Sequence, residues 1–488
     1  MSKPDLAIRN VLIFDGSGSE PIGGDIEIDA GRITAVGTAR AATTEIDGKG
    51  RALAPGFIDV HTHDDGAVLV HPDLRFKLAQ GCTSLVVGNC GFSALPGSLG
   101  GSSGILDGVG EGFNSLDEYF AAVTAARPAL NVISQVGHNS LRFAAMGNER
   151  REPTAAELDL MRGGVEAAMA QGAIGLSSGL IYQPGRYSET EELITLAQIS
   201  GAHGGLYNTH MRNEGDRLLD AVAEAIRIGA EAGVGVNISH HKAAMRRNWG
   251  KVVDSLALID QANANGHDIS LDIYPYIAGS GPMAEYFDLQ KIDLELAAAI
   301  RLASCPAFPA YEGRHLTEIA TETGEALDAL VTRILTAKAG RRTICIQFLM
   351  TEADVETNLH HPRVMIGSDG IPDLDGRPHP RLYGTFPRVL GHYVRERGVL
   401  PLAEAIRRMT SLSAGRFGLV DRGRVQVGGW ADLVLFDPAT VIDTATWDDP
   451  QLEPTGISHV LVNGAVALAD GRHTGNRGGR ALRYRQAA

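Results

Sequence analysis

The stretch GFIDVHTHDDG, residues 56–66, decides how the chain is read. An apolar run, Phe57-Ile58-Asp59-Val60, ends in His61-Thr62-His63. Residues two apart on a β-strand share a face. A strand finishing in His-x-His therefore points two imidazoles the same way and can grip one ion with both. The plainer alternative is a pair of hydrogen-bonded histidines at a strand end. Further ligands elsewhere in the chain have to decide between the two.

Outward from this stretch, short apolar runs alternate with amphipathic helical segments, the rhythm of βα units around a parallel sheet. Eight strands are expected: 53–61, 83–90, 131–138, 173–179, 206–211, 235–241, 269–276 and 363–369. Eight is the number that closes a (β/α)8 TIM barrel. Thr154-Ala-Ala-Glu157 and Ser188-Glu-Thr-Glu191 carry the spacing of capping boxes at helix starts. The first fifty residues and the last sixty-odd read differently, as short strands punctuated by glycine ("GDIEIDAGRITAVG", "GGWADLVLFDP"). Both ends are expected to build one small β-sandwich domain, from residues 1–52 and 422–488, flanking a barrel over 53–421. Residues 277–362 exceed one crossover and are expected to carry a helical insertion between strands seven and eight. The Gly/Ser-rich "LPGSLGGSSGILDGVGEG", residues 95–112, reads as a mobile loop over the end of strand two.

Bulk properties narrow the function. The chain has 488 residues, 44% hydrophobic and 21% charged, ordinary values for a globular protein. A formal charge of −14 argues against a nucleic-acid or anionic-membrane surface. No apolar run is long enough for a membrane span, and Asp5, Arg9 and Asn10 interrupt the N-terminal segment where a signal core would lie. Four cysteines in so long a chain make no disulfide framework. The expected location is the cytoplasm, and the oligomeric state is left open.

Chemistry in a (β/α)8 barrel gathers at the C-terminal strand ends, and here those ends are rich in ligands. Strand one ends in His61 and His63, and strand two in "GNCGFS" with Cys90. Strand five ends in "THMRNEG" with His210, strand six in "SHHK" with His240, His241 and Lys242, and strand eight in "GSDG" with Asp369. Imidazoles and a thiolate suit Zn²⁺, and a carboxylate can ligate or serve as a base. Any one of them has a bland reading: a buried cysteine, a hydrogen-bonded histidine, a turn aspartate. Four histidines, a cysteine and an aspartate at five ends of one barrel do not. His241 faces the other side of its strand and reads as structural. His138, in "VGHNSLR", reads as a cap on the next helix.

The order His-x-His, His, His, Asp across a barrel, with a β domain from both termini, resembles the amidohydrolase superfamily. With "GFIDVHTHDD", "GNCGFS", "GLIYQPG", "THMRNEG", "SHHK", "DIYPY" and "GSDG", nearly the whole chain resembles the D-aminoacylases (N-acyl-D-amino-acid deacylases). Two-metal relatives bridge their ions with a carboxylated lysine, but no lysine lies between Lys77 and Lys242, so strand four, "AIGLSSG", has none to offer. The resemblance gives the part to Cys90. It implies a tight zinc site of Cys90, His210 and His240, and a second position bordered by His61, His63 and Asp369 that is weakly occupied or empty.

The implied activity is zinc-dependent hydrolysis of the amide of a small-molecule N-acyl-D-amino acid. Asp369 would relay the proton, and Tyr182 would donate to the oxyanion, unless Tyr182 is merely a packed aromatic. The resemblance also points to Lys242, Tyr274, Ser280 and Arg381 as the residues that bind the substrate carboxylate. Relatives preferring N-acyl-D-glutamate carry an arginine in the loop after the paired tyrosines; here that loop reads "IAGSGPMAEYFDLQ", without one, which favours a neutral or apolar side chain. The alternatives are a dihydropyrimidinase-like hydrolase of cyclic amides, or a non-catalytic barrel scaffold.

Overall fold

The chain changes sheets at Gly56. In the computed structural model, which describes residues 3–97, 106 and 108–484, Ala52–Pro55 belongs to the sheet of the termini and Phe57–Asp59 to the barrel. One strand over 53–61 is therefore two. A side chain at Gly56 would put its Cβ 2.1 Å from Thr83 Cγ2, so only glycine lets the crossing pass this close.

The sheet of the termini is a single hydrogen-bonded array of nine strands. Leu6–Ile13 pairs antiparallel with Ile22–Asp29 and parallel with Thr44–Asp47 and Ala52–Pro55. Ala52–Pro55 then pairs antiparallel with Leu433–Phe436, which leads on to Ile457–Val462. Its apolar residues from both ends of the chain, among them Ile8, Ile26, Leu53, Leu433 and Leu461, form one buried cluster. Burial of this kind, at about 1.5–3 kcal/mol for each large aliphatic side chain, is what joins two segments so distant in sequence.

The barrel strands are Phe57–Asp59, Cys82–Val87, Asn131–Ser134 continued by Val136–Gly137, Gly175–Gly179, Leu206–His210, Gly235–Ile238, Ile269–Ile273 and Val364–Ile366. Each pairs in parallel with the next. The last meets the first just past their ends: Thr62 and Gly370 form a parallel bridge, and Asp369 N donates to His61 O at 2.7 Å. These strands are buried throughout apart from a half-buried Gly235, as a parallel sheet wrapped in helices requires.

Helices follow the strands as expected. Thr154 caps Ala155–Ala170 in a full capping box with Glu157. Ser188 does not cap: the helix Thr190–Ala202 starts after Glu189, and the Ser188 hydroxyl donates instead to Gly185 O at 2.7 Å. The insertion after strand seven is more than helices. Gly279–Pro282, Ile300–Ser304 and Ile344–Gln347 make an antiparallel sheet, packed on the helices Leu294–Ala298, Leu316–Thr323 and Leu327–Thr336 around a core of its own. Half of the loop anticipated over strand two, residues 98–105 and 107, lies outside the described residues. Among the described residues no helix is long and apolar enough to cross a membrane.

Candidate active site

The ladder of each ligand-bearing strand stops short of its ligand in three cases. Cys90 follows strand two by three residues, His240 follows strand six by two and Asp369 follows strand eight by three. All three have positive φ, at 54°, 36° and 49°. Left-handed backbone costs an L-residue about 1–2 kcal/mol; here it ends the strand and turns the side chain into the barrel mouth. His61 and His63 likewise lie just past their strand, with rings 5.6 Å apart and nearly edge to face.

At the centre is Cys90. Its Sγ lies 3.3 Å from His61 Nε2, 3.5 Å from His240 Nε2 and 3.7 Å from His210 Nδ1. Asp369 Oδ1 is 3.2 Å from His63 Nε2 and 3.4 Å from His61 Nε2. Donor atoms of His61, Cys90, His240 and Asp369 all fall within 4.8 Å of one another, as do those of His210, Glu214 and His240. A tetrahedral zinc with Zn–S near 2.3 Å and Zn–N near 2.0–2.1 Å holds sulfur and nitrogen about 3.6 Å apart. The separations around Cys90 straddle that value, so the donor set fits a zinc ion in both chemistry and spacing.

The electrostatics suit a cation. Burial alone would raise the Cys90 thiol, but the charge of His61 and hydrogen bonds from His210, His240 and His61 outweigh it and hold the thiol well below its ordinary value. Burial would likewise raise Asp369; the Arg381 guanidinium and the His61 and His240 rings instead keep it an anion, well below the usual carboxylate range. Burial opposes charge on His63, yet Asp369 and Cys90 push that ring up to about 9. Thiolate and carboxylate thus stand ready, with imidazoles carrying the balancing charge.

Above this cluster opens a cavity of about 230 Å³. Asp369, His210 and His240 reach it from below, and Tyr182, Lys242, Tyr274 and Ser280 line its walls. Burial lifts the Tyr182 phenol well above its ordinary value, so it remains an O–H donor; its oxygen is 3.3 Å from that of Tyr286. The remainder of the wall includes Ile181, Leu349 and Met350. His61, His63 and Cys90 do not line the cavity, and neither does Arg381. Arg381 is fully buried: Nη1 lies 2.9 Å from Asp369 Oδ2, Nη2 donates to Ser280 O at 3.1 Å, and the guanidinium stacks 4.4 Å from the Tyr274 ring.

The two other strand-end histidines stay out of the site. His241 is 2.6 Å from Asn358 Oδ1 and 2.9 Å from Ser255 Oγ. His138 does not cap its helix: Gly137 holds the cap position, and the ring lies 2.7 Å from Glu192.

Three site residues escaped sequence reasoning. Glu214, four residues after His210 within the quoted "THMRNEG", sits against His210, His240 and Lys242. Asp272, in "DIYPY", lies 3.2 Å from His61 Nδ1 and accepts the His240 backbone N–H at 2.9 Å. Lys77, fully buried, lies 2.6 Å from Asp59, 2.9 Å from Thr62 Oγ1 and 3.4 Å from Asp64, and also donates to Ser368 Oγ, so it ties strand one to strand eight. The i, i+4 spacing from His210 was the available signal for Glu214; nothing local announced Lys77.

A parallel eight-stranded barrel with this donor set at its C-terminal mouth defines a metal-dependent hydrolase of the amidohydrolase type. Comparison with known proteins narrows the class. The amidohydrolase family matches residues 44–356 and 328–468. D-aminoacylase of Alcaligenes xylosoxydans xylosoxydans is 43% identical over 484 residues, covering 98% of this chain and 97% of the relative. N-acyl-D-glutamate deacylase of the same organism is 43% identical over 486 residues, covering 99% and 97%. The crystal structure of N-acyl-D-glutamate deacylase from Bordetella bronchiseptica, complexed with zinc and a phosphonate mimic of the tetrahedral intermediate, is similar at a TM-score of 0.91 and 42% identity, covering 99% of this chain and 100% of that one. The chain belongs to the D-aminoacylase family of the amidohydrolase superfamily.

Proposed function

We propose that the protein hydrolyses N-acyl-D-amino acids to a carboxylate and a free D-amino acid, with neutral or apolar side chains preferred. The observation that carries this reading is one cavity onto which His210, His240 and Asp369, the Tyr182 phenol and the Lys242 ammonium converge. Cys90, His210 and His240 would hold one Zn²⁺; His61, His63 and Asp369 border a second, weaker position. Zinc held by Cys90, His210 and His240 would supply a water whose pKa is lowered from 15.7 toward about 7 and would polarise the scissile carbonyl.

The chain's own groups do the rest. Asp369, an anion at neutral pH, accepts the proton of the attacking water and passes it to the leaving nitrogen. Tyr182 donates its O–H to the oxygen on which charge develops. Lys242, Tyr274 and Ser280 face the substrate's α-carboxylate. Arg381 does not reach the cavity; stacked on Tyr274, bonded to Ser280 O and paired with Asp369, it adds a second positive charge behind that corner.

Identity to the relatives does not discriminate the side chain, since D-aminoacylase and N-acyl-D-glutamate deacylase are equally similar. The lining does favour a neutral one. Ile181, Leu349 and Met350 are apolar, and Arg247 at the rim is occupied by Asp216 and Glu295. In this reading residues 56–421, from the crossing between sheets onward, form the catalytic unit and residues 1–55 with 422–488 the supporting one. The reaction would run in the cytoplasm, where the four cysteines, all free and buried, persist as thiols.

A panel of N-acetyl-D- and N-acetyl-L-amino acids, scored for released amine, tests the proposal. Turnover of the D-leucine and D-methionine derivatives above the D-glutamate and all L-derivatives is expected. Hydrolysis of dihydrouracil in preference to the whole panel would overturn it.

A further inference from the structure

Glu214 is a carboxylate that touches both halves of the proposed chemistry without being assigned a part in it. It lies in the loop after strand five, half-way between the donor cluster and the cavity wall, with its side chain 13% exposed. Oε1 is 2.9 Å from His240 Nδ1 and also takes the Lys242 ammonium; Oε2 is 3.5 Å from His210 Nε2. The two rings turn their opposite nitrogens, His240 Nε2 and His210 Nδ1, toward Cys90 Sγ. His210 Nε2 is buried with no hydrogen-bond partner, and Glu214 Oε2 stands 3.5 Å from it.

Which nitrogen carries the proton matters. A ring that ligates through one nitrogen must be protonated on the other. At His240 the second nitrogen, Nδ1, has two suitors: Lys242 Nζ at 2.7 Å, which would make it an acceptor, and Glu214 Oε1, which makes it a donor. Only the second is compatible with ligation through Nε2. A carboxylate that draws the ammonium to itself, lies 2.9 Å from His240 Nδ1 and stands 3.5 Å from the unpartnered His210 Nε2 can settle the competition at both ligands with one group.

We propose that Glu214 is a positioning residue: it fixes His210 as the Nε2–H tautomer and His240 as the Nδ1–H tautomer, so that both present a bare nitrogen to the metal, and it holds Lys242 in register for the substrate carboxylate. This rests on the assignment of Cys90, His210 and His240 as zinc ligands. Glu214 therefore links metal affinity to substrate binding although it contacts neither reacting bond.

Zinc affinity measured by chelator competition on Glu214→Gln, with Cys90→Ala beside it, separates the outcomes. Glu214→Gln should still bind one zinc at saturation, with affinity reduced about 10–100-fold, the loss typical of a partner behind a ligating histidine. The cobalt form should keep its thiolate absorption band. An affinity within twofold of the parent overturns the proposal, as does loss of the bound metal at saturating zinc, which would make Glu214 a ligand. If Cys90→Ala also keeps full affinity, the ligand assignment itself falls; if Cys90→Ala loses zinc and Glu214→Gln is unaffected, only the role of Glu214 falls. Should Glu214→Gln lose its circular-dichroism signature of folding, the zinc-loaded parent with ¹⁵N-labelled histidine reads the tautomers directly. Protonated Nδ1 at His210, or protonated Nε2 at His240, then overturns the proposal.

Discussion

Replacing Lys77 by methionine should unseat both the barrel and the site. Methionine fills nearly the same volume, so the change isolates the ammonium. That group is fully enclosed, 2.6 Å from Asp59 and 3.4 Å from Asp64, and donates to the hydroxyls of Thr62 and Ser368. Without it two buried carboxylates face each other with no cation. Removing one partner of a buried pair costs about 3–5 kcal/mol. Unfolding entropy of about 2.1 cal/mol/K per residue gives roughly 1 kcal/mol/K over a chain of this length, so the melting midpoint should fall by about 3–5 °C. The sign with pH follows from the stranded Asp64 carboxyl. Burial already raises the Asp64 carboxyl in the parent, against the pull of Lys77; without Lys77 it rises further. A carboxyl raised above its unfolded value favours the folded state while protonated and disfavours it once pH passes the unfolded value. The deficit should thus be smallest near about pH 4 and grow toward about pH 8. Thermal melts of Lys77→Met, Asp59→Asn and the double variant across that range measure it, with the double variant losing less than the two single losses summed. A midpoint within about 1 °C of the parent at neutral pH would refute the reasoning.

Cys90→Ala should abolish tight zinc binding, read by metal content after dialysis; full stoichiometry would show that the ligands lie elsewhere. Asp369→Ala should keep the metal at Cys90 while turnover falls by about 10²–10⁴-fold, the range for a positioned acid–base group, and near-parental turnover would require another base. Arg381→Lys keeps the charge but loses the planar fork. It should lower kcat/KM sharply for N-acyl-D-amino acids and far less for their α-amides, whereas equal losses on both would reduce Arg381 to a support for Asp369.

The sequence carried the site more clearly than the strand limits. His61, His63, Cys90, His210, His240 and Asp369 could be picked out because ligand chemistry is concentrated in a few residue types, and the barrel rule says where those must fall. The limits overshot at Cys90, His240 and Asp369 because an apolar run does not reveal that its last residues have turned left-handed. Ala52–Pro55 and Phe57–Asp59 merged into one strand because both are wholly buried, and Gly56 between them reveals its role only against Thr83. The insertion hid its sheet for a different reason: Ile300–Ser304 and Ile344–Gln347 are short and pair with each other across some forty residues, so neither carries a local hairpin signal. The contacts of Glu214 with His240 and Lys242, and of Lys77 with Ser368, stayed invisible because they are made by segments returning to the mouth from elsewhere in the chain.

The left-handed backbone at Cys90, His240 and Asp369 also sets the direction in which such a protein decays. At these positions glycine would relax the main chain while deleting the donor. The gain is greatest at Cys90, since aspartate and histidine tolerate this conformation better than most residues. A lineage released from the need to hydrolyse anything would meet mutations there that are favourable to folding and fatal to chemistry, and selection for abundance alone would keep them. Inert descendants of this barrel should therefore lose the thiol of Cys90 early, and be hardier than their working ancestor.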